Sequence, residues 1–180
     1  MKNQNTKKLA YAALFLALCL VLPMLTGQIP QIGSMLLPMH IPVLLCGLVC
    51  GWQYGAAVGF VAPLLRSVLF GMPLMYPVAI AMAFELLTYG LVIGLVYRRM
   101  AQKGAAGVYA ALLTAMVAGR LVWGVAEVVL LGLGGKAFTA QAFLAGALLN
   151  AVPGIIVQLV LIPAVMAALQ KAGAVKEYAE

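Results

Sequence analysis

The feature that most constrains this chain is a series of apolar stretches, each about 20 residues long, that carry no charged side chain. A helix of that length crosses the hydrocarbon core of a bilayer, which is roughly 30 Å thick. A soluble helix of the same length needs a solvated face, and these stretches have none. Composition agrees, because 66% of residues are hydrophobic and 8% are charged, against about 25% charged residues in soluble domains. The sequence therefore predicts an all-α integral membrane protein.

Six transmembrane helices are predicted, in a single domain covering residues 1–180. The first is interpreted as a retained helix, since no small-residue cleavage site leads into a soluble domain. The 31 residues from His40 to Phe70 exceed one simple span and are expected to break near the GWQYG motif. The segment TGQIPQIGSMLLP, punctuated by Gly and Pro, predicts a capping loop. The approximate helix limits are 8–25, 40–51, 53–70, 75–97, 105–133 and 140–169.

The basic residues predict the orientation of this bundle. The net charge of +7 does not indicate a nucleic-acid partner, because Lys and Arg sit in short clusters between apolar segments. With six spans, only Lys136 falls in a loop opposite the N terminus. By the positive-inside rule, both termini are cytoplasmic and the protein is a multi-pass protein of the cell membrane. The residues on the side of the N terminus are Lys2, Lys7, Lys8, Arg98, Arg99, Lys103, Lys171 and Lys176.

Four charged residues lie within or at the edge of the predicted spans: Arg66, Glu85, Arg120 and Glu127. Such groups are costly in lipid, so each is expected to face the bundle interior, a pocket or another charge. Glu85, Arg120 and Asn150 lie at similar depths, roughly 14 to 20 Å below the outer surface at 1.5 Å per residue. Glu127 follows Arg120 by two helical turns on the same face. The polar groups thus concentrate toward the outer side.

Two interpretations of this polar layer remain open. Arg120 can simply pair with Glu85 or Glu127 and hold the helices together. Alternatively, the layer lines a cavity open to the outside, where Arg120 meets a carboxylate or carbonyl and Glu85, Glu127 or Asn150 meets donors.

Two further side chains are candidates for the same cavity. His40 begins the second predicted helix, where it either contacts a ligand or caps the helix. Trp123, three residues after Arg120, either stacks on a ligand ring or faces lipid or the core.

Several classes of enzyme lack their motifs here. The chain has no Asp, no GxxxxGK phosphate loop, no HExxH and no GxSxG elbow. Cys19, Cys46 and Cys50 all lie in apolar segments and are interpreted as buried thiols rather than metal ligands. We therefore expect no cofactor and no metal, and transport against a gradient would draw its energy from a partner or a coupled ion.

Small residues predict surfaces for close helix packing. Ala10, Ala13 and Ala17 share one face of the first helix and would let another helix approach closely. Gly47, Gly51, Gly55 and Gly59 recur at every fourth position across the second and third predicted helices. For both sets the alternative to a partner surface is tight packing within this protein.

The chain resembles the substrate-binding S components of energy-coupling factor (ECF) vitamin transporters. The resemblance covers nearly the whole length and rests on the basic ends, the ALFLA segment from Ala13 to Ala17, the uncharged first outer loop and the stretch MHIPVLLCGLVCGWQYGAAVGFVAPLLRS. It implies a binding module, not an enzyme, that captures a vitamin or related micronutrient from outside. It also implies a transmembrane coupling protein and two cytoplasmic ATPases as partners, with Ala13 and Ala17 docking on the coupling protein.

The resemblance leaves the solute open. The run His40-Ile-x-Val resembles pantothenate-type members, and Arg120 would suit a carboxylate, while riboflavin, thiamine, niacin, folate or another precursor remain possible. Two rival functions also stand: an autonomous ion-coupled transporter with Arg and Glu as a proton relay, and a small intramembrane enzyme using Glu85, Glu127 or His40 as acid or base.

Overall fold

The computed structural model describes residues 2–25, 36–100, 104–135, 139–146 and 151–173. All regular structure in these ranges is helical, as the sequence predicts. A π-helical stretch, Met75–Ala79, leads directly into the fourth α-helix. The α-helices are α1 (Lys2–Leu25), α2 (His40–Cys50), α3 (Trp52–Phe70), α4 (Ile80–Met100), α5 (Ala105–Leu133), α6 (Ala140–Leu144) and α7 (Val152–Lys171).

Five helical segments are long and apolar enough to cross a membrane. The helix α2 is apolar too, but its 11 residues extend only about 16 Å at 1.5 Å per residue. Ten of the eleven residues of α2 are buried, so it is a short central helix enclosed by longer ones. Among the residues it describes, the structure therefore has five candidate spans and the short buried helix α2, and the predicted count of six spans is not confirmed. The five segments are Gln4–Leu25, Trp52–Phe70, Met75–Met100, Ala105–Leu133 and Val152–Lys171.

The region predicted as one helix from about residue 140 to 169 contains two helices, α6 and α7. Thr139 starts α6, where its hydroxyl accepts a hydrogen bond from the Ala142 amide at 3.2 Å. A second helix start is marked by Pro153 in the first turn of α7, a position where the missing N–H of proline costs nothing. Asn150, a predicted site residue, lies between these helices and outside the described residues.

The chain breaks between α2 and α3 at Gly51, within the region where the sequence predicts a break. Gly51 has a φ of 95° and a ψ of 168°, a conformation that is essentially restricted to glycine. A single residue therefore separates the two helices, and the chain reverses sharply enough for α3 to pack beside α2.

Glycines allow α2, α3 and α4 to pack with their backbones almost in contact. A Cβ atom added to Gly55 of α3 would lie 2.7 Å from the Gly47 Cα and 2.8 Å from the Gly90 carbonyl oxygen. Gly59 and Gly94 are equally tight against backbone atoms of neighbouring helices. Close approach through small residues is the usual way in which membrane helices gain van der Waals contact. Gly47, Gly55 and Gly59 of the glycine repeat therefore serve packing within this protein, whereas a Cβ at Gly51 would meet nothing within 4 Å.

The core lies where α2, α4 and α5 meet, and the outside of the bundle is apolar. Fully buried residues in this core include Leu44, Leu86, Tyr89 and Leu112. On the outside, many large aliphatic side chains are exposed, among them Val160, which is 68% exposed. Such a surface is expected where lipid rather than water surrounds the protein.

Basic residues gather at one end of the bundle, which we call the basic end. Lys8 of α1 lies close enough to Cys50, the last residue of α2, to interact with it electrostatically. Arg98 and Arg99 are in the last turn of α4. Gln170 of α7 donates a hydrogen bond to the Tyr97 hydroxyl of α4 at 3.3 Å, which brings the ends of these two helices together.

Replacing Gly55 by Ala is expected to destabilise the protein. The new Cβ would press on backbone atoms that cannot move aside, and overpacking typically costs about 1 to 3 kcal/mol. A lower midpoint of thermal unfolding in detergent would show this. The matched control is Gly132→Ala in α5, where a Cβ meets nothing within 4 Å and stability should be unchanged or slightly raised. Equal stability of the two variants would contradict the packing assigned to Gly55.

Candidate functional site

Three side chains from three helices meet in the middle of the bundle: His40 from α2, Glu85 from α4 and Arg120 from α5. The Arg120 Nη1 atom lies 2.9 Å from the Glu85 Oε1 atom, and the His40 Nε2 atom lies 3.3 Å from the same oxygen. His40 and Glu85 are each only 1% exposed. The structure thus joins the two charged residues that the sequence places at a common depth, and it adds His40. We call these three residues the central cluster.

The turn before α2 places His40 at the cluster. Its amide donates a hydrogen bond to the Leu37 carbonyl at 3.0 Å, and Leu37 has a φ of 51°, a left-handed conformation that residues other than glycine rarely adopt. His40 therefore occupies the first position of α2 with its ring inside the bundle.

Tyr89 packs between the helices that carry the cluster. Its ring meets the His40 ring edge-on, with centroids 5.1 Å apart and an interplanar angle of 76°. Tyr89 lies one helical turn after Glu85 on α4, so the two side chains share a face. On the facing helix, a Cβ at Gly119 would come within 2.8 Å of the Tyr89 ring. The absence of that atom lets the Tyr89 ring pack closely against α5 at Gly119.

Arg120 keeps donors available beyond its contact with Glu85. Its Nε and Nη2 atoms are buried and form no hydrogen bond with the described residues, and neither does the His40 Nδ1 atom. The Arg120 side chain is 12% exposed, against 2% for that of Glu85. Buried donors without acceptors are costly. These groups are therefore well suited to bind an acceptor such as a carboxylate or carbonyl oxygen.

An aromatic wall stands next to Arg120 on α5. The Arg120 guanidinium carbon is 5.9 Å from the Trp123 ring centroid. Trp123 in turn stacks on Phe143 of α6, with centroids 6.1 Å apart and an interplanar angle of 26°. A Cβ at Gly146 would lie 2.6 Å from the Trp123 ring, so the chain after α6 also presses on it. The structure places Trp123 beside the cluster, under α6, rather than against lipid alone.

Glu127 lies on the same face of α5 as Arg120, two turns further from the basic end. It is only 6% exposed, and it is close enough to Glu85 for their charges to interact. No hydrogen bond or ion pair connects it to any other residue that the structure describes. Glu127 therefore lies near the central cluster but is not paired with any of its three residues.

Arg66 is the predicted site residue that the structure places elsewhere. Its guanidinium donates a hydrogen bond from Nη1 to the Leu20 carbonyl of α1, and its Cζ atom lies 5.2 Å from the Phe70 ring centroid. Arg66 is 3% exposed and connects α3 to α1. The sequence indicates that a charge at this position is costly in lipid, but it does not indicate the face of α3 on which Arg66 lies.

Gln158 of α7 is a buried polar residue that the sequence signals only weakly. It is 1% exposed, and its Nε2 atom has no hydrogen-bond partner among the residues described. The signal in the sequence is a single amide within a long apolar helix, which is a common pattern in helical bundles.

The cysteines do not form a metal site in the described parts of the chain. No group of three or more His, Cys, Asp or Glu residues there is arranged to hold a metal ion. Cys19 donates a hydrogen bond from its thiol to the Met39 carbonyl at 3.6 Å. Cys46 and Cys50 lie one turn apart on α2, with their thiols in contact. All three are free and buried, as their apolar surroundings predict.

An apolar groove of about 360 Å³ lies near the aromatic wall but is separate from the cluster. It shares Gly124 and Phe143 with the surroundings of Trp123, and none of the described residues that line it is charged. Two of its lining residues, Leu121 and Val125, are more than half exposed on the outside of the bundle. We therefore regard it as part of the lipid-facing surface.

Ala10, Ala13 and Ala17 form an exposed small-residue face on α1. The opposite side of α1 faces the bundle, since Ala12 and Cys19 are buried. In the structure these alanines therefore do not serve packing within the protein, and the face is open to another helix.

Comparison with known proteins identifies one family. Residues 7–167 match the family model described as "ECF transporter, substrate-specific component". No curated protein and no solved structure matches the chain significantly. The matched range includes every described residue of the central cluster, the aromatic wall and the small-residue face of α1.

Replacing Glu85 by Ala is expected to lower the free energy of unfolding of the ligand-free protein by about 3 to 5 kcal/mol, because it leaves Arg120 buried without its counter-charge. The double variant Glu85→Leu with Arg120→Met removes both charges and should recover most of that loss. Chemical unfolding in detergent measures both effects. If the single and double variants were equally unstable, the ion pair would not be what holds α4 to α5 at this depth.

Proposed function

Because the chain belongs to the family of substrate-specific components of ECF transporters, we propose that it captures a vitamin or related micronutrient from outside the cell. It is a multi-pass protein of the cell membrane and the substrate-binding subunit of such a transporter, which acts with a coupling protein and ATPases. This family is one of transport subunits and not a known family of enzymes. The function we propose for it has three parts: a solute, a pocket that binds the solute and a surface that meets the coupling protein.

The proposed pocket has the central cluster as its floor and Trp123 as one wall. The single observation that carries it is the Arg120 guanidinium, which pairs with Glu85 through one nitrogen and has two buried nitrogens without an acceptor among the described residues. An acceptor group of the solute, such as a carboxylate or carbonyl, would satisfy them. Glu127 and Asn150 are the further residues proposed to face the solute, and Arg66 is left out.

The proposed orientation puts the basic end in the cytoplasm, with six helices counted from α1 to α7 when α6 and α7 are taken as one interrupted span. The shared location of Lys8, Arg98, Arg99 and Lys171 at that end supports it. In this orientation the pocket opens away from the cytoplasm, toward the source of the solute.

The proposed docking surface for the coupling protein is the exposed face of Ala13 and Ala17. Small residues allow a helix of the coupling protein to approach α1 closely. The chain contains no phosphate-binding loop, so ATP hydrolysis would be left to two cytoplasmic ATPase subunits.

One observation favours a second candidate, an autonomous ion-coupled transporter. His40, Glu85 and Arg120 form a connected set of ionisable groups, as a proton relay requires. Proteoliposomes separate the two functions: accumulation of solute by the purified chain alone, driven by a proton gradient, would favour the ion-coupled function, whereas dependence on the ATPase partners would favour the S component.

A thermal-shift and native mass-spectrometry screen against B vitamins, biotin and their precursors tests the proposed function directly. A ligand that binds only the folded protein raises its apparent stability, so one tight hit would establish a solute-binding module. No hit across the panel would contradict it.

With the hit from that screen, Arg120→Ala is expected to weaken binding by more than about tenfold, since hydrogen bonds to a charged group contribute about 1.5 to 3 kcal/mol. Arg120→Lys should also weaken it, because the ammonium group lacks the planar fork. Arg120→Ala is also expected to be less stable, because it leaves the buried Glu85 without its counter-charge, so affinity is compared only on protein that circular dichroism and gel filtration show to be folded. Titration calorimetry measures the affinity, and Arg98→Ala at the basic end is the matched control. Unchanged affinity in Arg120→Ala would remove Arg120 from the pocket.

Replacing Ala13 and Ala17 by Leu is expected to preserve solute binding but to lower uptake several-fold, because the larger side chains block the approach of the coupling protein. The readouts are ligand affinity, co-purification with the coupling protein and uptake in cells. Ala164 and Ala168 of α7 are exposed at the same spacing, so their replacement by Leu is the control. Normal assembly and uptake with Leu at positions 13 and 17 would overturn the docking assignment.

A further inference from the structure

Arg120 and Glu127 lie on one face of α5. We call this face, from Arg120 to Glu127, the strip. Seven residues separate them, which is roughly 10 Å along the helix axis with nearly the same direction around it. Trp123 lies between them in the sequence, and its ring is beside the Arg120 guanidinium. Gly124 lies in the same strip, where a Cβ would press on Phe143. The face therefore offers a cation, a flat aromatic surface and a carboxylate in that order.

The two ends of the strip differ in how far their charges are neutralised. Arg120 already has Glu85 as its counter-ion at 2.9 Å. Glu127 is more than nine-tenths buried and has no hydrogen-bond or ion-pair partner among the described residues. The charge that acts on it is that of Glu85, which has the same sign. The carboxylate oxygens of Glu127 are not among the fully buried atoms that lack a hydrogen-bond partner in the described residues, so a donor or a cation of a solute can approach this end of the strip.

We propose that the solute carries a hydrogen-bond donor or a positive charge that binds Glu127, an acceptor that binds Arg120, and a flat ring between them that packs against Trp123. This inference rests on the proposed function and narrows its solute class to heteroaromatic compounds with a cationic or amino group. An aliphatic carboxylate alone would satisfy Arg120 but would leave Glu127 unpaired. It would also bring a negative charge near both Glu85 and Glu127.

The test uses four probes on the full-length protein in detergent: thiamine and pyridoxamine, which have rings and positive charges, and nicotinate and pantothenate, which are anionic. Titration calorimetry on the unaltered protein and on Glu127→Gln gives the affinities. Gln keeps the size of the side chain but removes its charge. We expect a ring cation to bind the unaltered protein, and Glu127→Gln to weaken it by about tenfold or more, as for loss of a charged hydrogen bond. The anionic probes should gain or keep affinity in the variant.

The outcomes separate this inference from the proposed function. If only an anionic probe binds, the protein is still a solute-binding module and the inference is overturned. If a ring cation binds but Glu127→Gln leaves its affinity unchanged, the pocket stands and the assignment of Glu127 is overturned. If no probe from the full vitamin panel binds, the proposed function fails and the inference fails with it.

A second measurement tests whether Glu127 instead has a structural partner within the chain. Without ligand, Glu127→Gln should leave the midpoint of thermal unfolding unchanged or raise it, because the variant no longer buries a charge. A clear fall in the midpoint would show that the carboxylate stabilises the fold by itself, and this would overturn its assignment to the solute.

Discussion

The ion pair between Glu85 and Arg120 is the interaction on which the interior of this protein depends. A charged side chain is costly in lipid, so both residues have to face the interior of the bundle. Each can stay in the bundle because the other is 2.9 Å away. The pair therefore fixes the rotation of α4 and α5 about their axes. Residues one or two turns along the same faces, such as Tyr89, Trp123 and Glu127, then have to point inward as well.

Glycine packing is what brings α2 into this arrangement. Gly47 and Gly55 allow the backbones of α2 and α3 to meet α4 closely, and this holds the first turn of α2 against Glu85. His40 belongs to a helix only 11 residues long, which is too short to cross the hydrocarbon core by itself. The dense glycine contacts and the polar cluster thus support each other: the contacts bring the charges together, and the paired charges keep the helices in register.

Much of this arrangement was predictable, because in a helix that crosses a bilayer the position of a residue along the helix gives its depth in the membrane. Counting residues from the helix ends placed Glu85 and Arg120 in one layer, and the glycines around GWQYG predicted the break between α2 and α3. Rotation about the helix axis was harder to predict. Arg66, like Arg120, is a charged residue in a predicted span, yet its side chain binds the Leu20 carbonyl of α1. The part played by Tyr89 depends on the missing Cβ of Gly119 on another helix, which no local pattern reveals.

The charges of the site divide between holding the fold and selecting a solute. Glu85 and Arg120 neutralise each other whether or not a solute is bound, so they contribute to the stability of the ligand-free protein. Glu127 has no such partner among the described residues, so in the proposed pocket its partner is the donor or cation of the solute. A matched solute would therefore bring a partner to Glu127, whereas an anion reaching Arg120 would meet two carboxylates of its own sign. Selectivity for the solute would then come from Glu127 rather than from the residue that holds the helices together.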